Sequence, residues 1–204
     1  MQLTVTTFLS VDGVYQGPGG PDEDRSDGFD RGGWTVPHFD EATGAFMDGI
    51  FREVDAFLLG RRTYDIFAAF WPNAPDPDDR VATLLNTLPK YVASTTLKDP
   101  AWAGTSVLDG DLAATVRELK ARPGRELQVH GSGRLVQFLL ANDLVDRLNL
   151  LVFPVIVGAG RRLFPEHGLA TGLALTESRT TPSGVTISVY RTAGRPSFGS
   201  FGEP

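Results

Sequence analysis

The 204-residue chain contains no cysteine, which excludes disulfides, thiolate metal sites and a cysteine nucleophile. Histidine is scarce: His38, His130 and His167 are the three, and no metal-ligand spacing joins them. No apolar run approaches the ~18–20 residues that a membrane-spanning helix requires. No basic segment precedes the apolar start MQLTVTTFLSVDG, which alternates like a strand and does not read as a secretory signal. Basic residues are not in excess either. Nineteen Lys and Arg stand against 25 Asp and Glu, a net charge of −6 that argues against a nucleic-acid surface. Neither the G-x-S-x-G hydrolase elbow nor the P-loop G-x-x-x-x-G-K-[ST] occurs. What remains is an ordinary globular composition, 41% hydrophobic and 22% charged, at a length that suits one domain in the cytoplasm.

Apolar periodicity divides the chain into alternating strands and helices. Residues 2–9 alternate as a strand buried on at least one face. From Ser10 to Trp34 seven glycines and two prolines predict a long loop, a lid or substrate-loop candidate. Its acids, Asp22-Glu23-Asp24 with Asp27 and Asp30, read as solvated. A helix is predicted over 39–53, then a buried strand over 54–59 ending at Gly60, and a helix with Tyr64, Phe67 and Phe70 inward that stops before Pro72. The pattern continues with a helix from Pro77 to Leu88, strands at Tyr91–Ala93 and Thr105–Leu108, and a helix capped by Asp111. Leu127–Val129 reads as a strand and Leu135–Leu140 as a helix. Arg147–Val157 is the most apolar strand and is predicted to be central. Leu173–Thr180 and Val185–Thr192 read as an antiparallel hairpin on or near an edge. The expected fold is therefore α/β: one three-layer domain over 1–192, with a mainly parallel mixed sheet between helices, and a flexible tail over 193–204.

Ligands of such sheets bind beyond the carboxyl ends of the parallel strands, and three segments there carry suggestive residues. In Gly60-Arg61-Arg62-Thr63 a glycine leaves the strand, Thr63 or a neighbour opens a helix, and two arginines flank its positive end. That is an anion pocket suited to phosphate, unless the arginines are ordinary surface cations. In His130-Gly131-Ser132-Gly133-Arg134-Leu135 the glycines admit a diphosphate to the backbone or simply form a turn. Val136 stands where the Rossmann fingerprint needs its third glycine, so that motif is absent. Ser94-Thr95-Thr96 can reach a phosphate or ribose, or cap a turn. The arginines suit an added 2′-phosphate, which favours NADPH over NADH. His130 reads as a packed strand-end residue rather than a general base. A cofactor cradle without an obvious catalytic set suits hydride transfer, where the cofactor carries the chemistry.

Ser10-Val11-Asp12-Gly13, Leu59 to Tyr64, Ser94, Gly131 to Leu135 and Pro154 to Phe164, in that order, resemble the dihydrofolate-reductase-like superfamily. Within it the chain is most similar to the branch of the riboflavin-biosynthesis reductase, the C-terminal domain of a bifunctional deaminase–reductase, over about residues 2–192. The resemblance implies an NADPH-dependent, homodimeric reductase of a small heterocyclic substrate, pterin- or ribosylaminopyrimidine-like; the residue inventory, charge and hydropathy above point to no metal, nucleic-acid or membrane partner. It implies that Arg61, Arg62 and Thr63 take the 2′-phosphate and diphosphate, Ser94 the adenosine side, and Gly131, Ser132, Gly133 and Arg134, with Leu135 and Gly60 in the same turns, the rest of the cofactor. Asp12 is the implied catalytic residue beside the nicotinamide, and the Pro154–Phe164 segment shapes the substrate end or the dimer contact. Two departures limit the match. Trp34 and Pro37 fit the dihydrofolate reductase Trp-x-x-Pro pattern, but Phe39 occupies the place of the pterin-binding acid, and Asp40 reads as a helix cap. The deaminase motif H-x-E with P-C-x-x-C is missing. A non-catalytic dinucleotide- or small-ligand-binding dimer is the alternative.

Overall fold

Alternation of side chains builds the sheet. In β1 (Gln2–Ser10) Leu3, Val5 and Leu9 enter one apolar cluster while Phe8 packs against another, so the two faces of the strand serve different layers. The computed structural model describes residues 1–76, 79–164 and 166–202. Seven further strands follow: β2 (Val54–Gly60), β3 (Lys90–Ala93), β4 (Thr105–Leu108), β5 (Glu126–His130), β6 (Arg147–Phe153), β7 (Leu173–Thr180) and β8 (Thr186–Thr192). Their order is β4-β3-β2-β5-β1-β6-β8-β7. The first six run parallel, and β8 joins β6 and β7 antiparallel. The hairpin thus forms one edge, as its turn residues Thr181-Pro182-Ser183-Gly184 predict.

Five helices cover the two faces: α1 (Glu41–Arg52), α2 (Arg61–Phe70), α3 (Arg80–Thr87), α4 (Leu112–Ala121) and α5 (Gly133–Ala141). Val116 and Leu119 of α4 and Leu135, Val136 and Leu139 of α5 pack with Leu3, Val5, Leu127 and Val129. On the opposite face Phe51, Tyr64 and Leu85 from α1, α2 and α3 meet Phe57, Leu59 and Val92. A third cluster joins Phe46 of α1 to Phe153 and Ile187. Burial of this kind, at roughly 25 cal/mol per Å² of apolar surface, is what orders the layers. Asp40, Asp79 and Asp111 cap α1, α3 and α4, each accepting from backbone N–H groups in the first turn.

Several expectations shift. Phe39 lies before the Asp40 cap and is exposed. Phe70, expected inward, is 54% exposed; Tyr64, Phe67, Ala68 and Trp71 make the apolar stripe of this segment instead. The strand expected to reach Val157 ends at Phe153, because Pro154 has no N–H to give the ladder. Nor is it central, since β5 and β1 hold the middle of the sheet. The helix expected from Pro77 begins at Arg80, and Pro77 lies outside the described residues. The start of the tail is tied down. Ala193 N donates to Gly172 O at 2.7 Å, and Arg195 pairs with Asp143 at 2.9 Å. Beyond it Phe198 and Phe201 are exposed, and residues 203 and 204 lie outside the described residues.

The Ser10–Trp34 segment contains no strand beyond a single bridge from Val14 to Arg162, yet it is pinned. Trp34 Nε1 donates to Gln16 O at 2.8 Å, and Phe29 and Val14 are buried together. It is a packed loop laid over the carboxyl ends of the strands.

Candidate functional site

One cavity of about 920 Å³ opens where β1, β2, β3 and β5 end, the position that parallel α/β topology favours. Its mouth is built from two strand-to-helix turns. Gly60 caps α2, so Arg61, Arg62 and Thr63 are the first three residues of the helix, which opens just ahead of Thr63. At the other turn Gly131 (φ 55°) and Ser132 (φ 53°) both adopt the left-handed conformation, which costs a serine energy that its partners must offset. Those partners come from the first turn. Gly60 N donates to Ser132 Oγ at 3.0 Å, and Ser132 N donates to Thr63 Oγ1 at 3.2 Å. The two turns are therefore hydrogen-bonded to each other, and the starts of α2 and α5 face one space.

Gly133 owes its identity to a protein neighbour. A Cβ there would come within 2.4 Å of the Tyr15 ring, so the glycine makes room for Tyr15, which lines the cavity beside it. Packing against Tyr15 accounts for this glycine without a ligand, and Gly133 lines the cavity all the same.

Three arginines of the mouth are already engaged. Arg61 Nε bonds both carboxylate oxygens of Asp65 at 2.8 and 2.9 Å, an i,i+4 pair on α2. Arg62 Nη1 donates to Ser26 Oγ at 2.5 Å, with Asp24 and Asp27 at 3.8 and 3.9 Å. Arg161 binds the same loop, donating to Ser26 Oγ and Asp27 Oδ2 at 2.8 Å each and pairing with Asp24. Asp24 is thus no solvated acid: its side chain is 9% exposed. Burial alone would raise its pKa, but the Ser26 hydroxyl and the Arg161 guanidinium outweigh that and hold it below the usual carboxylate range.

The floor differs. Thr6, Phe8 and His130 form it, with Phe39, Met47 and Phe51 on the wall. His130 stacks on Phe51 at 4.9 Å and bonds Gln128 Oε1 at 3.1 Å, and burial pushes its pKa down to about 4. Glu126, Gln128 and His130 share one face of β5, and Thr4 and Thr6 stand beside them on β1 in register. A buried polar strip therefore runs under α1. Asn149 of β6 extends it, donating to Thr6 Oγ1 at 3.1 Å.

A family model for the RibD C-terminal domain matches residues 1–187. The chain belongs to this family. Among curated proteins, Bacillus subtilis YyaP, itself uncharacterized, is 29% identical over 141 residues, covering 68% of this chain and 74% of YyaP. Its compatriot YwjB, also uncharacterized, is 25% identical over 158 residues, covering 78% and 85%. Two solved structures share the fold. One is a protein provisionally assigned to riboflavin biosynthesis in Shewanella sp. PV-4, with TM-score 0.68 and 22% identity over 95% of this chain and 99% of the other. The other is a pyrimidine reductase-like protein from Corynebacterium diphtheriae, with TM-score 0.62 and 14% identity over 94% and 92%.

In this member of the RibD C-terminal domain family, nine of the eleven expected site residues meet at the cavity: Gly60, Arg61, Arg62 and Thr63 from one turn and Gly131, Ser132, Gly133, Arg134 and Leu135 from the other. Ser94 and Asp12 are not on its wall. The Ser94 hydroxyl accepts from Thr96 N and Leu97 N at 3.2 and 3.0 Å, closing the turn that was the alternative reading. The Asp12 carboxylate accepts from Val157 N and Gly158 N at 3.0 and 2.9 Å and from Ser10 Oγ at 2.6 Å. Burial opposes these bonds, which nevertheless lower its pKa to about 2. It holds the 154–162 segment in place, and through that segment Arg161. His130 is the packed strand-end residue that the sequence suggests, but sequence reasoning missed Tyr15, Gln16 and its partners Glu126 and Gln128; the period-two polar residues in ELQVH were the available signal for the last two. Among the described residues no group of acids and histidines is placed to hold a metal, and no helix is long and apolar enough to cross a membrane.

Proposed function

We propose that this protein is an NADPH-dependent reductase of a small heterocyclic substrate, pterin- or ribosylaminopyrimidine-like. The observation that carries the reading is the pairing, in one cavity of about 920 Å³, of a cationic mouth at two helix starts with an aromatic floor. A phosphate-bearing ligand with a flat uncharged end suits that arrangement. The residues present fit a dinucleotide: the first-turn N–H groups of α2 and α5 and the guanidinium groups of Arg61, Arg62, Arg134 and Arg161 offer the donors that its phosphates need. Bound NADPH supplies a hydride. The chain's part is to hold the phosphates at the mouth, to keep water from the floor with Phe8, Phe39 and Phe51, and to orient the reacting ring. The relationship to a riboflavin-biosynthesis protein and a pyrimidine reductase-like protein supports the choice of reaction. In this reading Asp12 is a positioning residue rather than the proton donor, and Ser94 shapes the rim through its turn.

The protein is further proposed to act in the cytoplasm as a homodimer. The eight-residue edge strand β7 has an unpaired side and exposes Leu173 and Leu175 at its start, where a second copy of the chain would cover both. The test is direct. Wild type should bind NADPH more tightly than NADH, and the preference should collapse in an Arg61→Ala/Arg62→Ala variant; an unchanged preference removes the phosphate anchor from the proposal.

The non-catalytic alternative keeps one supporting observation: Phe39 occupies the cavity wall where a substrate-binding acid is expected. It requires cofactor binding with no NADPH oxidation across pterins, ribosylaminopyrimidines, quinones and carbonyls. Turnover of any of these disposes of it.

A further inference from the structure

His130 ends β5 with 7% of its surface exposed and lines the cavity floor. Its tautomer follows from the residues behind it. Gln128 Nε2 donates to Ile50 O at 2.7 Å and to Glu126 Oε2 at 2.8 Å, which uses both amide hydrogens. Glu126 is in turn paired with Arg147 at 3.1 Å, so it serves as an acceptor. The amide cannot be turned round, because its oxygen would then face two oxygens. Gln128 Oε1 is therefore an acceptor, 3.1 Å from His130 Nε2, and that nitrogen must carry the proton. Buried against Phe51 and Phe57, the ring is neutral and has one proton only. Nδ1 is consequently a bare acceptor to which no described residue donates, and it is not one of the sealed, unpartnered polar atoms of the interior, so it opens onto the cavity that His130 lines.

We infer that His130 is a specificity-determining residue: its locked Nδ1 makes the cavity floor take an uncharged hydrogen-bond donor, a carboxamide or lactam N–H, and reject a carboxylate. This rests on the proposed ligand cavity but not on the identity of the cofactor. A donor N–H satisfies the free lone pair, whereas a carboxylate sets two electron-rich groups against each other without a proton between them. The same chemistry can come from the carboxamide of a nicotinamide or from the ring amide of a substrate.

The experiment uses protein labelled with ¹⁵N-histidine, followed by long-range ¹H–¹⁵N correlation, with His130 assigned by a His130→Phe variant. Nε2 is expected to be pyrrole-like and Nδ1 pyridine-like at neutral pH. Benzamide is expected to shift the Nδ1 signal and to bind about tenfold more tightly than benzoate. A shift on adding NADPH alone assigns the donor to the cofactor. A shift with benzamide but not with NADPH assigns it to the substrate. In Gln128→Met the lock is gone, so a proton should appear on Nδ1 in part of the population and the preference for benzamide should shrink. A protonated Nδ1 in wild type overturns the inference, as does an Nδ1 signal that neither compound moves or that benzoate moves equally. NADPH binding measured separately, by melting, reports on the proposed function whatever His130 does.

Discussion

The two ends of the cavity are made of different material. At the mouth, Arg61, Arg62 and Arg161 are held by acids and hydroxyls on solvent-facing loops and first helical turns, and Arg62 keeps 53% of its side chain exposed. At the floor, His130 and Thr6 sit on the middle strands of the sheet with Gln128 behind them, and the three are 7%, 2% and 0% exposed. Screening weakens the pairs that the exposed Asp27 makes with Arg62 and Arg161, so a ligand phosphate would replace Asp27 at modest cost, while the Asp24–Arg161 pair is largely shielded from water. Nothing screens the floor, so each of its polar groups needs a particular partner. The mouth is suited to capture a charge, and the floor to discriminate between neutral groups.

Four perturbations sharpen this contrast, in descending order of effect. The largest belongs to the floor. As pH falls, an unfolded histidine takes up its proton near 6.5, while the folded His130 stays neutral to about 4. The contribution is therefore fully present above pH 6.5 and is lost as the pH falls to 4, by about 3 kcal/mol in all. Urea denaturation between pH 7 and 4 should show that slope, and His130→Phe should remove it. Next, Arg61→Ala/Arg62→Ala should lower the NADPH-over-NADH preference by about 10–100-fold, the size of one or two lost bonds to a charged group. Titration calorimetry measures it, and raised salt should shrink the wild-type preference in the same direction. Ser132→Ala removes the acceptor of Gly60 N and should cost about 1–2 kcal/mol, read as a lower Tm. The smallest effect is Asp27→Asn, which frees Arg62 and Arg161 from a competing charge and should tighten NADPH a few-fold, in line with the ~1 kcal/mol scale of exposed pairs. If it weakens NADPH instead, the loop acids assist the ligand rather than compete with it.

The same contrast explains what the sequence made legible. The mouth comes from two contiguous stretches, Gly60–Thr63 and Gly131–Leu135, where glycines and arginines lie together in the chain and at a strand–helix junction. Strand and helix alternation, the hairpin and the Asp40 and Asp111 caps were local patterns too. The floor was not legible in this way, because Thr6, Gln128 and His130 meet only through the parallel pairing of β1 with β5, which joins residues more than a hundred positions apart. Tyr15 was hidden for the same reason: the space at Gly133 looks like room for a ligand until the loop is folded over it. Asp12 and Ser94 failed to reach the cavity because nearby backbone N–H groups claimed their oxygens first. A motif names the residue type a site requires, and the surrounding donors decide where that side chain turns.

The most direct test of the account is a crystal structure of the protein with NADPH bound. The adenosine 2′-phosphate should lie beside Arg61 and Arg62 at the start of α2, with the uncharged end of the cofactor running inward toward His130. A dinucleotide bound away from this cavity, or with its phosphate at the aromatic floor, would contradict it.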